Sequence, residues 1–165
     1  ALPSFSPGRP LADAAADLMA RIHADFAYRS ASTDIDTPLA EVLSTREGVC
    51  QDFAHLMIGA LRAMGLAARY VSGYLLTTAP DAGANSAPML GADASHAWVA
   101  VWCPTADSTA ARWLELDPTN RVLPSTRHVR LAFGRDYGDV SPLRGVIRGG
   151  GEHRLEVQVR TQVIA

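Results

Sequence analysis

The chain has 165 residues, 48% of them hydrophobic, which supports one compact domain and is too short for two ordinary ones. Fifteen basic against 17 acidic residues leave a net charge of -2, which gives no electrostatic footprint for gripping nucleic acid or an anionic membrane surface. All 15 basic residues are arginine, so mechanisms that need a lysine ε-amine, such as pyridoxal Schiff bases, lysine aldolases and Walker-type phosphate loops, are excluded.

From Pro10, the apolar positions Leu11, Ala15, Leu18, Ile22 and Phe26 step by three or four and predict an amphipathic helix. After the polar stretch Ser30 to Asp36, Thr37-Pro38 signals a short helix carrying Leu39, Val42 and Leu43, with Gly48 ending the passage. Cys50 to Met64 is apolar at nearly every position and is followed by Gly65, which predicts a central helix buried on most sides. Runs rich in β-branched and aromatic residues, Arg69 to Leu76, Ser95 to Cys103 and Arg112 to Leu116, predict successive strands. The long Ala/Gly/Pro-rich loop Thr77 to Asp93 suits either a substrate entrance or a surface insertion. Near the end, Leu155, Val157, Val159 and Val163 alternate with polar residues and predict a half-buried strand. Helices first and strands after, with no βαβ alternation, indicate an α+β fold and a single domain over residues 1–165.

Two cysteines, Cys50 and Cys103, are too few for a disulfide framework and too far apart for a C-x-x-C pair. Free thiols, the absence of a roughly 20-residue apolar run and the absence of a charged leader together lead to the expectation of a soluble, cytoplasmic chain. It opens on Ala1 rather than Met, so the sequence does not test whether a further segment precedes it.

Cys50 stands at the first turn of the central helix, where unpaired backbone N–H groups favour a thiolate. A small buried hydrophobe is the other reading of such a cysteine. A nucleophilic thiol needs a proton partner among His23, His55, His96, His128 and His153. His55 lies about 140° around the helix from Cys50, with Asp52 three residues back as a structural partner, and His23 borders the stripe of the first helix. His96 opens a strand, sharing a face with Trp98, Ala100 and Trp102, and a strand can hold an imidazole against a helix end. Asp117 follows the next strand on the face of Trp113 and Glu115, and it reaches His96 if the two strands are antiparallel neighbours. Asp117-Pro118 is equally an ordinary turn signal.

These residues also carry a resemblance. Gly48-Val49-Cys50-Gln51-Asp52-Phe53-Ala54, the run Leu61 to Tyr74, Ser95-His96-Ala97-Trp98 and Leu116-Asp117-Pro118-Thr119-Asn120 resemble the successive motifs of the transglutaminase-like superfamily, in the bacterial branch known as "putative cysteine protease". Gly134 to Pro142 extends the resemblance toward the C-terminus. It implies a papain-like α+β fold, a central helix bearing the nucleophile packed on an antiparallel sheet, with Cys50 as nucleophile, His96 as general base and acid, and Asp117 as the carboxylate that orients it. The chain departs from papain itself around the nucleophile, since Glu47 stands three residues before Cys50 and Gln51 follows it.

The expected chemistry is thiolate attack on a peptide-type amide, an oxyanion held by the Cys50 N–H and a second donor, a thioester, and release of an amine. Gln51, Tyr28 and the Ser44/Thr45 backbone are the candidates for the second donor. Water as acceptor makes a protease or amidase and an amine makes a transglutaminase; hydrolysis is the expectation, because no amine-binding site is visible. The alternative is a non-catalytic binding module on the same scaffold. No cofactor is expected, and Cys50, His96 and Asp117 lack the paired spacing of a zinc site. Cys103, on the strand face opposite His96, is expected to be structural. Trp98 and Trp102 are expected either to wall a substrate channel or to pack on the central helix, and Arg135 and Asp136 to form structural ion pairs or hydrogen bonds.

Overall fold

A computed structural model of the chain describes residues 1–30, 32–76, 89–92, 94–104, 112–141, 145, 148–150 and 157–161. In chain order they form α1 (Leu11–Asp25), β1 (Ala27–Tyr28), α2 (Leu39–Thr45), β2 (Glu47–Gly48), α3 (Cys50–Ala63), β3 (Ala68–Leu75), β4 (His96–Cys103), β5 (Arg112–Leu116) and β6 (His128–Gly134), with 3-10 turns at Leu2–Ser4 and Tyr137–Asp139. The four long strands make one antiparallel sheet in the order β5-β4-β3-β6. The fold is α+β, with the central helix α3 packed on an antiparallel sheet, as expected. No helix of the described residues is long and apolar enough to cross a membrane.

The core lies between the helices and one face of the sheet. α1 buries Ala15, Leu18 and Ile22 from its predicted stripe, and α3 buries Phe53, Ala54, Met57, Ile58 and Leu61. They meet Ala68 and Tyr70 of β3 and Ala97, Val99 and Val101 of β4. α3 ends where Gly65 takes a φ of 78°; the Gly65 N–H donates to Arg62 C=O and the Leu66 N–H to Leu61 C=O, a Schellman closure that turns the chain into β3. α2 ends earlier than the sequence suggests, at Thr45, with Arg46 in the left-handed region and Leu43 exposed.

The opposite face of the sheet has its own buried group, Val71, Trp98 and Ala100, with Trp113 against it. Trp98 therefore neither walls a channel nor packs on the central helix. Side chains alternate along a strand, and it is the odd-numbered residues of β4 that point toward α3. Trp98 donates its Nε1–H to Glu115 at 2.8 Å, while Trp102 is partly exposed and packs edge-on to Trp113. Cys103 falls on the helix side, half-buried beside the core.

β6 closes the sheet at a strand the sequence reading had not identified. The predicted strand at Leu155 to Val163 is not found: residues 157–161 carry no strand, and 155, 156, 162 and 163 lie outside the described residues. The loop predicted at Thr77 to Asp93 also lies outside them except at 89–92. Where β3 bulges against β6, at Ser72/Gly73, the backbone of Val129 and the ring of Trp98 come so close to Gly73 that an added Cβ would strike the Val129 carbonyl and lie 2.6 Å from Trp98 Cη2. Gly73→Ala is therefore expected to cost about 2 kcal/mol or more in stability, by overpacking between two rigid partners, measured by chemical denaturation.

Candidate active site

The short parallel pair β1 and β2 sets the register Ala27↔Glu47 and Tyr28↔Gly48, and so brings Tyr28 alongside the chain two residues before Cys50. Val49 caps α3 in an extended conformation, and Cys50 is the first residue of the helix. Asp52 reaches back to this turn, its Oδ2 accepting the Val49 N–H at 2.8 Å and the Thr33 hydroxyl at 2.6 Å. Asp52 is thus occupied with the cap and is not the partner of His55. His55 accepts the Tyr137 N–H at 3.1 Å and lies against Tyr70, which ties α3 to the turn after β6.

β4 begins with His96, and its pairing with β5 places Val99 opposite Leu116. This register carries Asp117, one residue past β5, to the His96 ring. The His96 Nε2–H donates to Asp117 Oδ2 at 2.8 Å, with both side chains fully buried. Nδ1 of His96 is buried without a hydrogen bond, and it faces the cleft onto which Cys50 opens. Burial lowers the proton affinity of the His96 ring, but Asp117, as hydrogen-bond partner and charge, together with the neighbouring Cys50 thiol outweighs burial and raises its pKa to about 9. Burial also penalises the Asp117 carboxylate, yet the donors on it, His128 first and then His96 and Asn120, hold it well below the usual carboxylate range.

Cys50 and His96 share a cleft of about 340 Å³ whose walls include Tyr28, Ile35, Gln51, Tyr70 and Tyr137. No Asp, Glu or Arg lines it among the described residues. Tyr70 is a neutral phenol there, since burial pushes its pKa further up. Gly91, with a φ of 82°, passes directly over the histidine; a Cβ at that position would lie 2.9 Å from His96 Nδ1 and 3.6 Å from the Tyr28 hydroxyl. Of the candidates for a second oxyanion donor, Tyr28 and Gln51 line the cleft, whereas Ser44 and Thr45 do not and turn their hydroxyls to Glu41 C=O.

The other histidines separate clearly. His23 Nδ1 donates to Thr119 C=O at 3.0 Å, linking α1 to the turn beyond Asp117, and His153 lies outside the described residues. His128 was not singled out in the sequence, yet its Nε2–H donates to Asp117 Oδ2 at 3.1 Å. Asn120 was quoted only as part of a motif. It bonds Asp117 Oδ2 through Nδ2 at 2.9 Å and holds the Gly91 turn by accepting the Leu90 N–H at 2.8 Å. One ligand atom each from His96, Asp117 and His128 lies within 4.8 Å of the others; hydrogen bonds to Asp117 Oδ2 account for that grouping and already satisfy the atoms. Arg135 pairs with Asp139 rather than Asp136, through two contacts of 2.9 Å.

Comparison with known proteins identifies the family. The model of the "Transglutaminase-like superfamily" matches residues 4–118. An uncharacterised protein of Mycobacterium tuberculosis is 51% identical over 99% of this chain and 51% of its own length, and one of Mycobacterium leprae is 37% identical over 84% of this chain and 46% of its own. A protein-glutamine gamma-glutamyltransferase of Pseudomonas aeruginosa is 37% identical over 70% of this chain and 17% of its own length. The chain thus spans about half the length of the mycobacterial relatives it matches. A crystal structure from Cytophaga hutchinsonii, named "putative cysteine protease", superposes with a TM-score of 0.64 at 28% identity, over 84% of this chain and 42% of that one. Since the family model spans the elements that bear Cys50, His96 and Asp117, the chain belongs to the transglutaminase-like superfamily.

Proposed function

We propose that the chain is a cofactor-free thiol enzyme acting on peptide-type amides through Cys50, His96 and Asp117. The observation that carries this reading is the double role of the His96 ring, with Nε2 on a fully buried carboxylate and Nδ1 open toward the cleft of Cys50. Burying a carboxylate and an imidazole costs several kcal/mol unless they are paired, and a purely binding scaffold has no need of such a pair beside a thiol.

In the proposed cycle, His96 holds the thiol proton as an imidazolium, and the Cys50 thiolate attacks the amide carbonyl carbon. The oxyanion is held by the Cys50 N–H and by Tyr28 or Gln51. Collapse breaks the C–N bond, His96 gives its proton to the departing amine, and a Cys50 thioester remains. Water, deprotonated by His96, then cleaves the thioester to a carboxylic acid and returns the thiol proton to the pair. A cleft lined by no Asp, Glu or Arg among the described residues suits a neutral carboxamide or peptide bond, in keeping with relatives named for glutamine transfer and for proteolysis.

Hydrolysis is expected over amine transfer. A glutamine-containing peptide offered with and without a primary amine separates the outcomes through three readouts: peptide cleavage, ammonia release and amine incorporation. Incorporation that outpaces hydrolysis would make the chain a transferase, and no turnover with any acceptor would favour the binding-module reading. The thiol itself is tested without a substrate. Iodoacetamide at pH 7 is expected to modify Cys50 at least about tenfold faster than Cys103, whose thiol burial pushes up. Equal rates, followed by mass spectrometry, would sink the activated-nucleophile reading.

A further inference from the structure

Behind Asp117, on the side of the sheet away from α3, lies a second cavity of about 440 Å³ bordered by Met89, Asn120, Arg127 and His128. Asp117 has no exposure to it, and the His128 side chain that stands between them is only 2% exposed. The His128 ring is fixed on three sides. Its Nδ1 accepts the Ser125 N–H at 3.5 Å, which leaves the proton on Nε2, the nitrogen that donates to Asp117 Oδ2. Its plane stands edge-on to Trp98, centroids 5.2 Å apart, and Trp98 is itself tied through Nε1–H to Glu115. Leu75 pairs with His128 across the sheet and fixes its backbone.

Oδ2 of Asp117 thus serves two histidines, one facing the thiol and one facing the second cavity. The carboxylate accepts the Thr119 and Asn120 N–H groups on Oδ1, and His96, His128 and Asn120 on Oδ2. Such a carboxylate orients an imidazole only while its plane is held and water is kept off it, because an interior of low dielectric is what makes the His–Asp interaction strong.

We propose that His128 is a positioning residue of the triad, which aims Asp117 Oδ2 at His96 and seals it from the second cavity. This rests on the thiol-enzyme reading above, in which His96 acts on Cys50. Loss of His128 takes away one of the three donors on Oδ2 and opens that oxygen to water from the second cavity, so the imidazolium–thiolate pair weakens without any change in the substrate cleft. The effect belongs to the chemical step: kcat falls and KM stays within about threefold, and the fall is about tenfold or more, the scale of a small misplacement of a catalytic group.

Two amides of different length separate this role from mere packing. In His128→Gln the amide reaches the place of Nε2 and keeps a donor on Asp117; in His128→Asn it reaches only the place of Nδ1 and leaves the carboxylate uncovered. Iodoacetamide labelling at pH 7, read separately at Cys50 and Cys103 and alongside the melting temperature, is expected to show Cys50 within about threefold of wild type in the Gln variant and at least about tenfold slower in the Asn variant, with Cys103 unchanged in both. Equal Cys50 rates in the two variants, or slowing that follows the melting temperature rather than the donor, would overturn the proposal. A wild-type Cys50 no faster than Cys103 would instead overturn the thiol-enzyme reading, and this inference with it.

Discussion

Cys50→Ala is expected to lower turnover by at least about 10⁴-fold while leaving the fold in place. In the proposed cycle the Sγ atom forms and breaks the only covalent bond between protein and substrate, and no other described residue that lines the cleft with it carries a thiol or an amine. Removing the nucleophile of a triad leaves only what the oxyanion donors and binding contribute, which in well-studied hydrolases is a small remnant of the whole. The structural cost is small. Cys50 begins a helix rather than filling its centre, its Sγ–H donates only at the long distance of 3.9 Å to Ser95 C=O, and Cys→Ala there is expected to cost about 1 kcal/mol. Cys103→Ala serves as the contrast, since it alters a half-buried thiol beside the core and is expected to leave turnover within about tenfold. A Cys50→Ala enzyme that keeps more than about a hundredth of wild-type turnover would end the covalent mechanism.

The three proposed triad residues were legible in the sequence because each sits at the end of an element whose boundary has a local signal. Cys50 follows Gly48 and opens an apolar helix, His96 opens an apolar strand, and Asp117 precedes Pro118. What the sequence could not show is which face of β4 meets the helix. Residues 96–101 are buried on both faces, so no polar alternation marks the outside, and Trp98 was placed on the side of the central helix when it belongs to the other. His96, at the start of the strand, lines the cleft with Cys50, whereas Trp98 and Ala100 further along pack on the far face of the sheet.

His128 stood among the candidate histidines, but its bond to Asp117 was not legible, for a different reason. Its role depends on the chain returning from Asp117 through the Asp117↔Val122 bridge and the turn at Ser125, a path set by tertiary pairing with β3 rather than by spacing. The strand it opens was missed although Val129, Leu131 and Phe133 alternate with Arg130 and Ala132, because these apolar residues are on an edge and remain exposed. The similar alternation from Leu155 predicted a strand that residues 157–161 do not form. Period-two patterning becomes a strand only where a sheet edge is there to receive it.

The complete absence of lysine bears on the same chemistry. Should amine incorporation be observed, residues 1–165 hold no lysine side chain to act as acceptor, so the amine must come from outside this stretch. No lysine within residues 1–165 can serve as an acceptor, whichever acceptor the enzyme prefers.

Asp117→Asn is expected to slow turnover by up to about 10⁴-fold, the scale seen when the carboxylate of a serine-type triad becomes an amide, and to move the high-pH limb of the rate profile. The sign follows from His96. Its pKa in the folded protein is raised from 6.5 to about 9, so the imidazolium persists well above neutrality and is lost only as the pH climbs through about 9. Wild-type kcat/KM is therefore expected to fall on that limb, where the ion pair loses the charge that holds the thiolate. The same shift makes a stability contribution that is complete below about pH 6.5 and fades through pH 9. Asp117 contributes oppositely, since its carboxylate is held below its ordinary range; that stabilisation is present above about pH 4 and is lost as the pH falls further. An Asn at 117 accepts one hydrogen bond from His96 but supplies no charge, so the His96 titration, followed by its ring proton resonances, should drop toward 6.5, and the high-pH limb of the residual activity should drop with it. Cys50→Ala removes the smaller, thiol contribution, and it should lower the His96 titration by less than Asp117→Asn does. If the limb remains near pH 9 in Asp117→Asn, the titrating group is not His96 held by Asp117, and the imidazole must be charged and oriented by something other than this carboxylate.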